Sequence, residues 1–284
     1  MCYCNALPCS SPDRPAVLRR PLLILACLLA TAVPLPVAAE GVDVGNPSML
    51  RNLVPAEQLE RASAQQYRDL LREAAAKKAL APDGHPQLER IRRIGTRLVQ
   101  HAARFNPRAG KWQWEINLIG SKQINAFCMP GGKIAVYTGL VDGLKLTDDE
   151  IAVVVGHEIA HALREHARAR MVKSGLTQLG AIVAGELLGG GRYTDVFQFG
   201  GDMLTLKFSR NDETDADLVG LELTARAGYD PRAGITLWQK MSAASKGEPF
   251  AWFSTHPSGP NRIKEIERQL PQVMPLYERA AAGR

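Results

Sequence analysis

Cysteine is scarce in this chain outside its amino-terminal segment. Of the five cysteines, only Cys128 lies beyond the first 39 residues, which hold Cys2, Cys4, Cys9 and Cys27. A lone cysteine cannot form a disulfide within the rest of the chain, so we predict a fold without an internal disulfide. We expect Cys128 to act as a small, buried apolar residue.

Long apolar runs are equally scarce. After residue 39, no segment reaches the roughly 18 consecutive apolar residues that a membrane-spanning helix needs. The amino-terminal segment does contain one apolar run, PLLILACLLATAVPLPV at residues 21–37. This run follows three arginines and leads into small residues that end at Ala39. This layout is typical of a secretory signal peptide. We therefore predict a signal peptide over residues 1–39, cleavage after Ala39, and an exported mature domain over residues 40–284.

Two alternatives to a cleaved signal remain open for the same run. It could anchor the chain in a membrane, although 17 residues interrupted by two prolines make a poor permanent span. The sequence Ile24-Leu25-Ala26-Cys27 also loosely resembles a lipobox, which would attach a lipid at Cys27. The apolar stretch before Cys27 is short and continues well beyond it, which argues against lipid attachment.

A strong charge of either sign is also missing. The formal net charge is +6, and arginines in the predicted signal account for part of it. The remaining basic residues form no stripe, so nothing favours nucleic-acid binding, while weak attraction to an anionic membrane surface remains open. Internal repeats are absent, including any tetratricopeptide array. Hydrophobic residues at 45% and charged residues at 23% are typical of a soluble globular domain.

Apolar spacing predicts helices on both sides of a short β region. The predicted helices cover residues 55–78, 87–104, 149–170, 211–227, 231–244 and 261–270. The predicted strands, with a period near two, cover residues 112–119, 124–129 and 133–137. We therefore predict an α+β fold, mainly α, with a small, largely antiparallel sheet on the helix that follows the T-x-x-E capping box at Thr147. The glycine-rich residues 171–210 predict two loosely connected buried helices or, alternatively, a cover over a cleft.

The helix predicted after Thr147 contains the motif HEIAH at residues 157–161. His157 and His161 lie four apart, which places them on one helix face with Cβ atoms about 5–6 Å apart. That spacing suits two imidazole nitrogens that bind one metal ion. Glu158 follows at about 100° around the helix, beside the metal, where it can take a proton from water. The alternative is a buried helix whose histidines only form hydrogen bonds.

Three later residues are candidates for a third metal ligand. His166 lies about 500° beyond His161 around the helix, so we expect it to point away from the ligand face. Glu165 shares that face but lies about 5.4 Å beyond His161 along the helix. Glu213 begins the segment ETDAD, in which Asp217 lies four residues on, so one carboxylate can bind the metal while the other orients a ligand histidine. The alternative for this pair is a solvated acidic helix start.

The segments LTDDEIAVVVGHEIAH, SRNDETDAD and STHPSGPNRI together resemble the family of the HtpX and CAAX prenyl endopeptidases. These are zinc metallopeptidases, gluzincins with HExxH and ExxxD motifs. The resemblance covers roughly residues 88–270. Within the family, the chain is similar above all to the soluble, exported bacterial branch. It implies a zincin-type peptidase domain in the periplasm. The implied zinc ligands are His157, His161 and Glu213, with Glu158 as general base and Asp217 behind a ligand histidine.

The resemblance also assigns roles to residues outside these motifs. Asn125, Ala126 and Phe127 match the edge strand on which gluzincins lay an extended substrate, an arrangement that suits broad specificity. His256 and Arg262 match two positions beside the metal, where either one could stabilise an oxyanion. His256 could instead occupy the open metal position and keep the enzyme latent. The alternatives are a loop histidine and an arginine paired with a carboxylate.

These observations predict a zinc-dependent endopeptidase that acts on exported or misfolded envelope proteins. The expected partners are unfolded polypeptides and, through the resemblance, the outer-membrane assembly machinery. Processing of prenylated proteins is not expected, because the chain lacks the multiple spanning helices of the membrane-embedded relatives. The first rival hypothesis is a largely latent chaperone or assembly factor for outer-membrane proteins that uses the same cleft. The second is a helical scaffold without a metal.

Overall fold

The structure is a computed structural model that describes residues 40–175, 206–245, 251–257 and 261–283. The predicted signal peptide, with Cys27, lies outside the described residues, as does most of the glycine-rich stretch 171–210. Within the described residues, no helix is both long enough and apolar enough to cross a bilayer.

Helices dominate the described chain, as the apolar spacing predicted. The α-helices are α1 (Ala56–Ala76), α2 (Pro86–Val99), α3 (Thr138–Val141), α4 (Asp148–Leu163), α5 (166–175), α6 (Arg210–Arg226), α7 (Ala233–Ala244), α8 (Ala251–Thr255) and α9 (Arg262–Ala282). Short 3₁₀ helices occupy Met49–Leu53, Ala102–Arg104 and Pro107–Lys111. The mainly helical α+β class is therefore confirmed.

Three short strands form one sheet, but its topology differs from the prediction. The strands are β1 (Glu115–Ile119), β2 (Ala126–Met129) and β3 (Lys133–Tyr137), in the order β1-β3-β2. β2 runs antiparallel to β3, whereas β1 runs parallel to β3, so the sheet is mixed and not largely antiparallel. The alternation of apolar residues predicts a strand but not its partner, and the most buried strands, β1 and β3, pair with each other.

Helix α4 passes through the centre of the fold. Its start is fixed by the predicted capping box, in which Thr147 and Glu150 each accept a hydrogen bond from the other's backbone N–H. Every residue from Glu150 to Leu163 is buried, against the sheet on one side and against α2, α6 and α7 on others. A helix with no solvent-facing side is held by packing, so its position defines the positions of the side chains it carries.

Helix α4 ends earlier than predicted. The expected helix over residues 149–170 stops at Leu163, because Arg164 and Glu165 form a turn and Glu165 has a φ of +55°. A separate helix, α5, begins at residue 166. No glycine or proline marks this break, so apolar spacing alone could not place it.

Helix α9 ends later than predicted. It continues past residue 270 to Ala282 and contains Pro271 and Pro275. Each proline removes one helical hydrogen bond. Val273 and Leu276 lie in the main core on the same helix, and their burial stabilises the turns that the prolines weaken.

The first described residues are bound to the core through a buried carboxylate. The Glu222 side chain of α6 is only 1% exposed and accepts a 2.7 Å hydrogen bond from the backbone N–H of Val42. The Nε atoms of Arg104 and Arg226 donate to its other oxygen at 2.8 and 2.6 Å. A buried carboxylate needs such partners, since an unpaired one is strongly unfavourable. Residues 40–45 are thus part of the domain.

Candidate metal centre and active site

Helices α4 and α6 approach each other closely at two glycines. A Cβ atom on Gly220 of α6 would lie 2.7 Å from the backbone nitrogen of His157, and one on Gly156 would lie 2.9 Å from the Gly220 carbonyl oxygen. Only glycine permits backbones to come this near. The contact brings the histidine face of α4 against the first turns of α6.

Four side chains from three parts of the chain converge at this crossing. Each of His157, His161, Glu213 and His256 offers one ligand atom, and these four atoms all lie within 4.8 Å of one another. The two Nε2 atoms of α4 lie 3.1 Å apart. The Glu213 carboxylate oxygens lie 3.6 Å from His157 Nε2 and 3.4 Å from His161 Nε2. All four residues are buried.

Asp217 lies on the opposite side of His157 from these atoms. Its Oδ1 is 3.0 Å from His157 Nδ1. Because a carboxylate only accepts, Nδ1 carries the proton and Nε2 presents its lone pair to the cluster. This is the predicted arrangement of a carboxylate that orients a ligand histidine, one turn of α6 beyond Glu213.

Burial keeps the clustered side chains largely neutral in the metal-free protein. It lowers the pKa of His157 and lowers those of His161 and His256 further, which leaves imidazole lone pairs free at neutral pH. Burial raises the pKa of Glu213 to about 8, although nearby Arg262 acts in the opposite direction. The histidines are therefore ready to bind a cation, whereas Glu213 must first lose its proton.

The residues fit a metal ion on two observations. The edges of the cluster, 3.1, 3.4 and 3.6 Å, are close to the ~3.3 Å between donor atoms around a tetrahedral ion with bonds of 2.0–2.1 Å. In addition, Glu158 Oε1, Glu213 Oε1 and His256 Nε2 are buried without a hydrogen-bond partner among the described residues. Buried polar atoms of this kind need an explanation, and a bound cation with water supplies one.

Glu158 lies beside the cluster, with its own set of contacts. Its Oε1 is 3.5 Å from His256 Nε2, and its carboxylate accepts a hydrogen bond from the backbone of Cys128 in β2. Burial, with the nearby charge of Glu213, raises its pKa well above the usual range. A carboxylate that binds a proton this readily suits general base catalysis.

His256 is held in place from behind. Its Nδ1 lies 2.9 Å from the Thr255 hydroxyl, and its ring stacks on the buried Trp252 ring with centroids 4.4 Å apart. The free Nε2 therefore faces the cluster and Glu158. The structure places His256 next to the predicted metal ligands.

Arg262 is placed differently from its expected role at an oxyanion. Its Nη1 donates to Glu213 at 2.8 Å, while its Nε and Nη2 donate to the two oxygens of Asp217 at 2.7 and 2.5 Å. The guanidinium also lies 3.6 Å from the centroid of the Trp238 ring. The alternative from the sequence, an arginine paired with carboxylates, is thus the arrangement observed. Together with hydrogen bonding from His157, it lowers the pKa of Asp217 to about 2, although burial opposes this shift.

The predicted substrate strand is an edge strand beside α4. The Asn125 carbonyl oxygen accepts from the Tyr137 N–H of β3, so by antiparallel alternation the backbone groups of Ala126 and Cys128 point to the free edge. The Asn125 side chain accepts from the Ala126 N–H at 3.0 Å. The Phe127 ring packs against Tyr137 on the other face of the sheet, with centroids 6.4 Å apart.

Three residues whose positions the sequence patterns did not predict, His166, Asp215 and Arg164, form a series of contacts behind His161. His166, expected to point away, has its Nδ1 3.0 Å from His161 Nδ1, because the turn at Glu165 redirects the chain. His166 Nε2 lies 3.0 Å from Asp215, which also binds Arg164. No pattern in the sequence signals the turn, so an ideal-helix projection was misleading here.

Comparisons with known proteins identify the family of this chain. Residues 86–270 match the family described as Peptidase family M48. The chain is 32% identical over 218 residues to the mitochondrial metalloendopeptidase OMA1 of Schizosaccharomyces pombe, covering 75% of this chain and 61% of that protein. It is 28% identical over 153 residues to the metalloprotease LoiP of Escherichia coli, covering 53% and 60%. It is 28% identical over 200 residues to the beta-barrel assembly-enhancing protease of Escherichia coli, covering 66% and 39%.

The chain thus spans less than two thirds of the length of each of these relatives. The family match itself covers well over half of this chain and includes the α4 histidines and the α6 carboxylates. It also includes His256 and Arg262. The chain therefore belongs to peptidase family M48.

Proposed function

We propose that this chain is a zinc-dependent endopeptidase. The observation that carries the proposal is the convergence of His157, His161, Glu213 and His256 within 4.8 Å, with Glu158 beside them. Imidazole and carboxylate donors in a buried, near-tetrahedral cluster suit Zn²⁺ better than the oxygen-binding cations Mg²⁺ and Ca²⁺. We assign one zinc ion per chain to His157, His161 and Glu213.

The chemistry follows from what these residues do around a substrate. When bound, zinc supplies a Lewis acid that polarises the scissile carbonyl and lowers the pKa of water towards neutrality. Glu158 takes the proton of the attacking water and later donates it to the leaving amine. His256, whose Nε2 lies 3.5 Å from Glu158, donates a hydrogen bond to the developing oxyanion when its ring carries the Nε2 proton. Arg262 and Asp217 hold Glu213 and His157 in position.

The edge strand β2 indicates the class of substrate. An extended peptide whose N–H groups donate to the carbonyl oxygens of Ala126 and Cys128 would lie alongside Glu158, since the Cys128 backbone itself donates to that carboxylate. Asn125 lies at the start of this edge, and Phe127 holds the strand against the core. Main-chain pairing is independent of side chains, so the proposed substrates are unfolded polypeptides of diverse sequence.

The proposed location is the periplasm, reached through a signal peptide at residues 1–39. The proposed task is quality control of exported or misfolded envelope proteins. One relative supports this hypothesis by its name, the beta-barrel assembly-enhancing protease of Escherichia coli. Outer-membrane assembly machinery is the proposed partner. Amino-terminal sequencing of the exported protein tests the first point, and a mature chain that does not start at Glu40 would contradict it.

A second candidate function is favoured by the position of His256. Its Nε2 lies close enough to the other three donor atoms to fill the fourth metal position, which would exclude water. A chain held in that state would bind unfolded outer-membrane proteins in the same cleft and cleave them little. This is the latent chaperone or assembly factor.

Cleavage of an unfolded protein by the purified chain separates the two functions. We expect reduced casein to be cut by the zinc-loaded protein, and a chelator to stop cleavage until zinc is restored. The Glu158→Gln variant should bind casein without cutting it. Suppression of casein aggregation by wild type and variant alike, with no cleavage by either, would favour the chaperone. Absence of zinc from the folded protein, with no capacity to bind it, would contradict both.

A further inference from the structure

The break between α4 and α5 places a further buried histidine, His166, on the side of His161 that faces away from the proposed metal site. Glu165 has a φ of +55°, a conformation that residues other than glycine rarely adopt. Two arginines hold its carboxylate there, Arg168 at 2.6 Å and Arg51 at 3.3 Å. As a result His166, the next residue, is buried with its ring beside that of His161.

The hydrogen bonds between these rings define where each proton lies. His161 Nε2 faces the metal ligands, so its lone pair must be on Nε2 and its proton on Nδ1 for it to bind a cation. That Nδ1–H points at His166 Nδ1, 3.0 Å away, which must then accept. The remaining proton of His166 is on Nε2, and it donates to Asp215 Oδ2 at 3.0 Å. Each ring proton in the series from His161 through His166 to Asp215 therefore has one position that satisfies all the hydrogen bonds.

The far end of the series is fixed to the domain by an arginine. Arg164 Nε donates to the same Asp215 oxygen at 2.6 Å, and its side chain is only 5% exposed. Its Nη2 donates to the carbonyl oxygens of Val44 and Gly45 at 2.8 and 3.1 Å. Asp215 therefore has little freedom to turn away from His166.

We propose that His166 and Asp215 are positioning residues for the metal centre, which hold His161 in the tautomer and orientation that present Nε2 to the ion. This inference rests on the proposed zinc site. It gives His161 the support that His157 receives from Asp217, through one additional imidazole. The two ligand histidines are thus oriented by two aspartates of the same helix, α6, two residues apart. A buried histidine that only satisfies its own hydrogen bonds is the competing explanation.

Zinc affinity, measured by competition with a chromophoric chelator, tests the proposal. The measurements use the Glu158→Gln background, so that proteolysis does not interfere. Removal of a partner behind a ligand histidine typically weakens metal affinity about 10- to 100-fold, and we expect this loss for His166→Leu. His166→Asn places an amide oxygen near the position of Nδ1, so it keeps the acceptor for His161. We expect its affinity to be closer to that of the parent than to that of His166→Leu.

A spectroscopic readout separates positioning from general support of the fold. With Co²⁺ in place of zinc, His166→Leu should shift the visible absorption bands, because the ring of a ligand turns, and His166→Asn should restore them. His101→Leu, at a partly buried histidine outside the cluster, serves as the matched control and should change neither affinity nor spectrum. Unfolding midpoints of the metal-free variants show whether a loss of affinity reflects a loss of folding.

The outcomes are distinct. If folded His166→Leu binds zinc as tightly as the parent, or if His166→Asn is as impaired as His166→Leu, the positioning role is wrong while the zinc site stands. If the parent protein itself binds no zinc, the proposed function fails, and this inference fails with it. Should His166→Leu not fold, the comparison of His166→Asn and Asp215→Asn with the parent decides the question. We expect Asp215→Asn to lower affinity and His166→Asn to lower it less, and parent-like affinity in both would overturn the proposal.

Discussion

Three buried carboxyl groups within one site differ in how readily they bind a proton. Asp217 has a pKa of about 2, because Arg262 and His157 stabilise its charge against the effect of burial. Glu213 has a pKa of about 8, and that of Glu158 is also raised, because burial dominates at both. Asp217 is thus an anion at neutral pH, whereas the raised pKa of Glu158 suits a group that accepts a proton and returns it.

Replacement of Glu158 by glutamine should separate metal binding from catalysis. The side chain keeps its size but loses the ability to take a proton, so peptide hydrolysis should fall by about 10²- to 10⁴-fold or more. Zinc content, measured by mass spectrometry of the metal, should not change, since Glu158 is not a proposed ligand. Glu73→Gln, at an exposed glutamate in α1, is the matched control and should retain full activity. Wild-type hydrolysis by Glu158→Gln would remove this residue from the mechanism.

The raised pKa of Glu213 predicts that zinc binding releases a proton. With a pKa of about 8 in the metal-free protein, Glu213 is mostly protonated at pH 7 and must lose its proton to bind zinc. Titration calorimetry in buffers of different ionisation enthalpy should show this release at pH 7 and little of it at pH 9. Glu213→Gln should bind zinc more weakly and lack this component. Equal proton release by wild type and Glu213→Gln would show that another group titrates.

The raised pKa of Glu213 also lowers the stability of the metal-free protein as the pH rises. The folded-state pKa of Glu213 lies above its usual value, so the protonated group contributes stability that is fully present below the usual value of 4.5. That contribution is lost as the pH rises through about 8. Zinc binding reverses this trend, because it requires the charged form.

At the scale of helices and strands, the sequence predicted those features that depend only on residues close together in the chain. The capping box at Thr147 gave the start of α4, and the four-residue spacing of His157 and His161 gave their common face. The chain break at Glu165 was not predictable, because Arg51, one of the two arginines that bind its carboxylate, is distant in the sequence. The partner of β1 was not predictable either, since alternation carries no information about pairing.

The site shows the same division between local and distant contacts. The motifs of α4 and α6 indicated a metal centre, because each motif places its groups on one helix face. The position of Arg262 on Glu213 and Asp217 depends on how α9 packs against α6, which no spacing within either segment reveals. For His166, projection on an ideal helix predicted the wrong direction of the side chain, because the backbone departs from an ideal helix just before this residue.

The close contact of α4 and α6 can be tested with one added methyl group. In Gly220→Ala the new Cβ would lie 2.7 Å from the His157 nitrogen, so the helices must separate. We expect a loss of about 1–3 kcal/mol in the free energy of unfolding, measured with urea, and weaker zinc binding. Gly110→Ala is the control, since nothing lies within 4 Å of its Cβ position, and should change stability by no more than about 0.5 kcal/mol. A Gly220→Ala protein with unchanged stability and zinc affinity would contradict this packing.

At the scale of the whole molecule, a metal ion at the proposed site would link segments that are distant in sequence. His157 and His161 lie on α4 and Glu213 lies on α6, so an ion bound to these three residues would stabilise the packing of the two helices. Arg262 adds α9 to this group through its contacts with Glu213 and Asp217. Folding and metal binding should therefore be coupled.

Removal of the metal should lower the melting temperature. A ligand present at 1,000 times its dissociation constant stabilises the folded state by about 4.1 kcal/mol, so a chelator should shift the transition by several degrees. Differential scanning calorimetry with and without chelator measures the shift. Glu213→Ala, which lacks a proposed ligand, should show a much smaller shift. An identical melting temperature with and without chelator in the wild type would contradict the coupling.

The carboxylate of Glu222 has a consequence for how the polypeptide can be shortened. Its partners include the Val42 amide, and Gly41 packs so tightly that a Cβ there would lie 2.1 Å from Oε2. Arg164, which supports Asp215, likewise donates to carbonyl oxygens of residues 44 and 45. A fragment trimmed to the stretch of family similarity, residues 86–270, would lose these contacts, so Glu222 Oε2 and Arg164 Nη2 would each lose their backbone partners in residues 42–45. We therefore expect a fragment of residues 86–270 to be less stable than one that also contains residues 40–45.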